Sequence, residues 1–162
     1  MMPQVPAGFS AFGRYGKLTS RIVGVLGVML LSGCGGGDPF KIVPVSGKVA
    51  FKDGSLIKAD QIVVTFLPQE AKGVGKNAPL AAQGNVNVAD GTFAGLTTHR
   101  HLDGAIVGKH KVTVQALKMG PGGVGLPTDA VPLRYTRPET TPLTCEVTGS
   151  GNTITLEIDK AP

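Results

Sequence analysis

Three histidines offer the richest chemistry in this sequence: His99 and His101, two positions apart, and His110 further on. On a β-strand a spacing of two turns both rings to one face, and three imidazoles suffice as protein ligands for zinc or copper. Against that stand Arg100 and Asp103, the company of a solvated loop, and the strand opening at His110, which needs polar side chains for its outer face. Three surface histidines are therefore expected, with a metal site at His99, His101 and His110 as the rival. Other reactive constellations are incomplete. Nucleophilic serine chemistry needs a base and an orienting acid beside the hydroxyl, and no Gly-x-Ser-x-Gly elbow occurs. Gly73-Val74-Gly75-Lys76 has part of a phosphate loop, but Asn77 stands where Ser or Thr must sit and Glu70 where the first glycine belongs. The 11 acidic residues fall mostly at turns and give no pattern of paired carboxylates for glycoside cleavage. No catalytic residue and no cofactor is expected.

Cysteine chemistry points to the membrane. Cys34 closes the stretch "RIVGVLGVMLLSGC", in which residues 22–31 are aliphatic, Met or Gly. Arg14, Lys17 and Arg21 precede that run, and no acidic residue occurs before Asp38. A basic segment followed by about 7–15 apolar residues is the pattern of an export leader. The run is shorter than the roughly 20 apolar residues that span a bilayer, and it lacks the polar face of a core helix. Leu31-Ser32-Gly33-Cys34 resembles the lipobox of bacterial lipoproteins, an aliphatic residue and two small ones before an obligatory cysteine. The resemblance implies that residues 1–33 are a signal peptide cleaved after Gly33, and that Cys34 carries a diacylglyceryl thioether. Residues 34–42 then read as the lipidated cysteine and a Gly-rich tether, because chain such as Gly35-Gly36-Gly37 has little stiffness. The protein would sit at the cell membrane or the outer membrane, with its domain on the exported side. With Cys34 acylated, Cys145 has no partner in the chain, so no disulfide is expected. Alternating with Leu143 and Val147, Cys145 reads as a small buried hydrophobe.

Without the leader, 129 of the 162 residues remain, enough for one domain whose core hides roughly two-thirds of the unfolded chain's surface. Three of the 16 basic residues leave with it, so 13 face 11 acidic ones and the net charge falls from +5 to +2. A nucleic-acid partner, which needs a clustered basic face, is not expected. Residues 43–162 alternate as β-structure. Strands are expected at 43–52, 61–68, 82–88, 92–96, 109–117, 143–147 and 152–158, with Asp53-Gly54 and Asp90-Gly91 as turns. The last two, separated by Gly149-Ser150-Gly151, read as a terminal hairpin. There is no convincing helix and no internal repeat at a solenoid period. Seven short strands with regular turns predict an all-β fold, an antiparallel seven-stranded sandwich.

The order of these turns and strands carries a resemblance. Val45-x-Gly47-x-Val49 with Asp53-Gly54 comes first, then Val64-x-Phe66-x-Pro68 and Asp90-Gly91-Thr92-Phe93. With Gly104-Ala105-x-x-Gly108 leading into Val112-x-Val114, the series resembles the carboxypeptidase regulatory-like and transthyretin-like (prealbumin-like) β-sandwich domains of bacterial lipoproteins. Residues 131–143 are similar to the Pro-x-x-Tyr loop before the last two strands of that group, and Val107 departs from it where Pro is frequent. The resemblance implies a prealbumin-like sandwich used as a non-catalytic structural or protein-interaction module. The related hydroxyisourate hydrolases end in Tyr-Arg-Gly-Ser, whereas this chain ends in Ile158-Asp159-Lys160-Ala161-Pro162, and Arg134-Tyr135 is no substitute. Two rivals are weaker on the residues. A carbohydrate- or small-ligand-binding domain would lay aromatic rings against sugar faces, but there is no Trp and Tyr135 alone lies beyond the leader. An isopeptide bond of the adhesin kind would join Lys48 to Asn152, yet Lys48 falls in the outward register and the bond needs a buried lysine with a shifted pKa. The expectation is an envelope module held to the membrane through Cys34 and in contact with a protein partner.

Overall fold

A computed structural model describes residues 39–160; residues 1–33, expected to be a signal peptide with a lipobox at Leu31, Ser32 and Gly33, and Cys34 lie outside the described residues. In chain order it contains β1 (Ile42–Val43), β2 (Val45–Phe51), β3 (Gln61–Pro68), β4 (Ala82–Val86) and β5 (Thr92–Ala94). There follow β6 (Ala105–Ile106), β7 (Gly108–Met119), β8 (Gly125–Pro127), the single turn α1 (Leu133–Thr136), β9 (Thr144–Val147) and β10 (Asn152–Ile158).

β3 and β7 form the centre because their sequences agree in period and in register. Ile62, Val64 and Phe66 of β3 are buried, as are His110, Val112, Val114 and Ala116 of β7. The antiparallel ladder runs from Gln61↔Leu117 to Pro68↔His110, which sets the two buried rows on one face. β-Branched and aromatic side chains suit that half-buried pleat. The strand order is β10-β2-β5-β4-β3-β7-β8, and β9 pairs with the first residues of β7 on the same edge that β8 occupies at its end. β1 and β6 form a separate two-stranded ladder. Val131 and Tyr135, brought in by α1 and the loop before it, join the core over β7.

The protein is all-β, as its alternation predicts, and each of the seven predicted strands has a counterpart; β1, β6 and β8 are additional. Two expectations fail. The main sheet is mixed, not antiparallel throughout, because β10 runs parallel to β2 from Asn152↔Val45 to Ile158↔Phe51. The terminal hairpin does not form: β9 joins β7 and β10 joins β2, at opposite ends of the strand order. Register explains the choice, since the parallel pairing sets Leu156 beside Val49 and Ile158 beside Phe51, all four buried. Composition marks Gly149-Ser150-Gly151 as a turn but does not select the partner strand. The Asn152 side chain closes the linker, accepting from the Thr148 N–H at 2.7 Å and donating to the Thr148 carbonyl at 3.0 Å. Five residue steps from Val147 to Asn152 reach at most about 18 Å. The two outer strands must therefore approach each other, and the sheet curls round its apolar face.

Candidate functional site

The three histidines do not meet. His99 and His101 are exposed in the loop of residues 97–104, where the Asp103 carboxylate accepts from the backbone N–H groups of Thr98, His99 and Arg100 at 2.7–3.0 Å. The His99 ring stacks on Phe40 with centroids 6.1 Å apart. His110 lies elsewhere and is 1% exposed, which overturns the expectation of a surface role. Its parity is that of Val112 and Val114, so the register that buries them buries the imidazole too, edge-on to Phe66. Its Nδ1 lies 3.0 Å from the Gly108 carbonyl, and its Nε2 has no hydrogen-bond partner. Burial holds the His110 pKa below the ordinary histidine value. Cys145 sits opposite His110 on β9, half-buried against the core, and burial pushes its thiol up to about 11.

Tyr135 is used inside the fold. The ring is 2% exposed, so it offers no platform for a sugar face. Its hydroxyl donates to Asp159 Oδ2 at 2.7 Å and accepts from the Asp159 N–H at 3.0 Å and the Arg134 guanidinium at 3.2 Å. Asp159 also pairs with Arg134 and, at 2.7 Å, with Lys52. Hydrogen bonds from Lys52 and Tyr135 hold the Asp159 carboxyl below the usual carboxylate range. The group clasps the end of β10 to α1 and β2. The geometry also separates the isopeptide candidates: Lys48 is exposed opposite Thr155, while Asn152 pairs with Val45 and bonds to Thr148. Gly73-Val74-Gly75-Lys76 belongs to a tight turn closed by Val74 and Asn77, with no helix after it to receive a phosphate.

One recess is not announced by the residue pattern. A cleft of about 650 Å³ opens between the end of β7 and α1, walled by Gln115, Ala116, Pro127, Val131, Leu133 and Arg137. Leu133 in its wall is 62% exposed. Outside the lining, Met119, Val124 and Leu126 of the β7–β8 hairpin are exposed as well. β8 is the last strand in its order, so among the described residues no strand pairs with its outer edge. The chain joins the domain at the other end of β7, where the Val107 N–H donates to the Lys41 carbonyl at 2.9 Å. Twelve residues of strand put roughly 35 Å between the two ends. A faint signal of this cleft lies in the proline-bounded loops either side of it, but their convergence depends on non-local pairing.

Among the described residues no group of three or more His, Cys, Asp or Glu side chains gathers as a metal-binding cluster. None of their helices is long and apolar enough to cross a membrane. No protein-family model matches the chain, and no match emerges among curated proteins or among solved structures.

Proposed function

We propose that this protein is a lipid-anchored module of the bacterial cell envelope that works through protein contacts and not through catalysis. In this reading residues 1–33 are a signal peptide, Cys34 carries the lipid, and residues 43–162 are a sandwich of the transthyretin-like, carboxypeptidase regulatory-like kind. The observation that supports it best is the polarity of the domain. The chain joins at Phe40 and Lys41, and the apolar cleft with exposed Leu133 lies towards the opposite end of β7, where the β7–β8 hairpin also exposes Leu126. A domain tethered by one end meets its partners with the other. Apolar residues gathered round a cleft are the usual mark of an interaction site, and the free edge of β8 can pair with an extended segment of a partner.

The experiment is in-cell cross-linking in the native host. Wild-type protein is expected in the membrane fraction with discrete cross-linked adducts. Leu126→Asp with Leu133→Asp should abolish the adducts while leaving the thermal midpoint within a few degrees, since both side chains are exposed. Cys34→Ser should release the protein from the membrane. Adducts that survive the double substitution, or membrane retention without Cys34, would contradict the reading.

A further inference from the structure

We propose that His110 and Cys145 form a two-ligand site for a soft monovalent metal ion, with copper(I) as the ion that fits. The β7–β9 ladder sets the two residues directly opposite each other. Two positions along, the Val112 N–H donates to the Leu143 carbonyl at 2.9 Å. His110 and Cys145 are by the same parity a hydrogen-bonded pair, with Cα atoms about 5.5 Å apart and side chains on one face. That face is the inner one, since His110 is 1% exposed and Cys145 packs against the core. Both line a recess of about 430 Å³ that Gln69, Thr144 and the charged residues Lys109, Lys111 and Glu146 also border.

The imidazole is oriented as a metal ligand would be. Its Nδ1 faces the Gly108 carbonyl, which can only accept, so the neutral ring carries its proton there and its lone pair on Nε2. Metal-binding histidines are commonly held in this way, with the second nitrogen donating to a backbone carbonyl. His110 Nε2 is the one buried side-chain polar atom among the described residues that finds no hydrogen-bond partner. Such an atom calls for a physical explanation. On binding, the S–H bond breaks, the proton leaves to solvent, bonds form from sulfur and from Nε2 to the ion, and no electron is exchanged.

Charge and ligand number select the ion. A thiolate and a monovalent cation sum to zero, which suits a recess beside Phe66 and the core. Zinc would call for further protein ligands that do not gather among the described residues. Soft thiolate ligands favour copper(I). The site does not depend on the anchoring of Cys34, so the two proposals stand or fall separately.

The test uses the full chain carrying Cys34→Ser, which leaves Cys145 as its only thiol, titrated with copper(I) without oxygen in competition with bathocuproine disulfonate. The expected result is one ion withdrawn per chain, lost in Cys145→Ser, weakened by about tenfold or more in His110→Gln, and unchanged in the double variant His99→Ala, His101→Ala. X-ray absorption at the copper edge should find one sulfur and one nitrogen neighbour in the protein with His110 and Cys145 intact, which decides the matter even if His110→Gln does not fold. The proposal is overturned if the chelator keeps all the copper, if Cys145→Ser or folded His110→Gln binds as before, if the His99 and His101 substitutions remove binding, or if either neighbour is missing from the spectrum.

Discussion

Tyr135 is 2% exposed, yet its hydroxyl has three polar partners, so the protein replaces the water that burial removes. Tyr135→Phe keeps the ring, leaves the Asp159 N–H without its acceptor and takes one of three partners from the carboxylate, which should cost about 1–2 kcal/mol in a urea titration. An unchanged midpoint would remove the clasp from the account of stability. Asp159 also sets a pH dependence. Its folded pKa lies below the ordinary value, as do those of Asp53 beside Lys160 and Ser55 and Asp90 beside Thr92. The unfolded chain therefore takes up protons first as pH falls. The stability from these groups is complete above the unfolded value of about 4 and is lost as pH drops through the folded values. Asp159→Asn should lower the midpoint at neutral pH and flatten part of the acid slope; an unaltered slope would assign it elsewhere. At this scale the sequence was partly legible. His110 shares parity with Val112 and Val114, and its burial could be read from that alone had polarity not been taken for exposure. The Tyr135–Asp159 contact could not, because it joins residues that only tertiary packing brings together.

The parallel pairing of β2 and β10 decides which elements face each other. Gly47 shows how tightly they meet: a Cβ there would sit 1.9 Å from the Ile154 carbonyl oxygen and 2.6 Å from the Phe93 ring. Gly47→Ala should destabilise by about 3 kcal/mol, at the upper end for overpacking. A substitution that is tolerated would mean the β2–β10 contact is looser than described. The register has its own check. Lys48 and Thr155 are exposed partners on adjacent strands, about 4.8 Å apart and within disulfide reach. Lys48→Cys with Thr155→Cys, in a background of Cys34→Ser and Cys145→Ser, should cross-link on mild oxidation with the loss of two hydrogens in the mass. A hairpin of β9 with β10 would leave that pair apart and unlinked. The seven main strands were legible because period-two alternation is local, as in Ile62, Val64 and Phe66 of β3. The partner of β10 was not, because Gly149-Ser150-Gly151 fixes a reversal without fixing where the returning strand docks.

For the whole molecule, the proposal joins two things read from different sources: an export leader with a lipobox at Leu31-Ser32-Gly33-Cys34, and a curled β-domain whose apolar cleft lies at the far end of β7 from the point where the chain joins. The first is wholly a matter of sequence, since leader and lipobox are recognised as linear patterns. The second needed the fold, because Ala116, Val131, Leu133 and Arg137 come from a strand, a loop and a helical turn that converge on one cleft. In the proposed reading a short tether would keep the domain near the membrane surface. The most direct measurement is the intact mass of the protein extracted in detergent from its own host. The account predicts the mass of residues 34–162 plus acyl groups. The mass of the unprocessed chain, or of a fragment without lipid, would contradict the anchor and with it the membrane-tethered module.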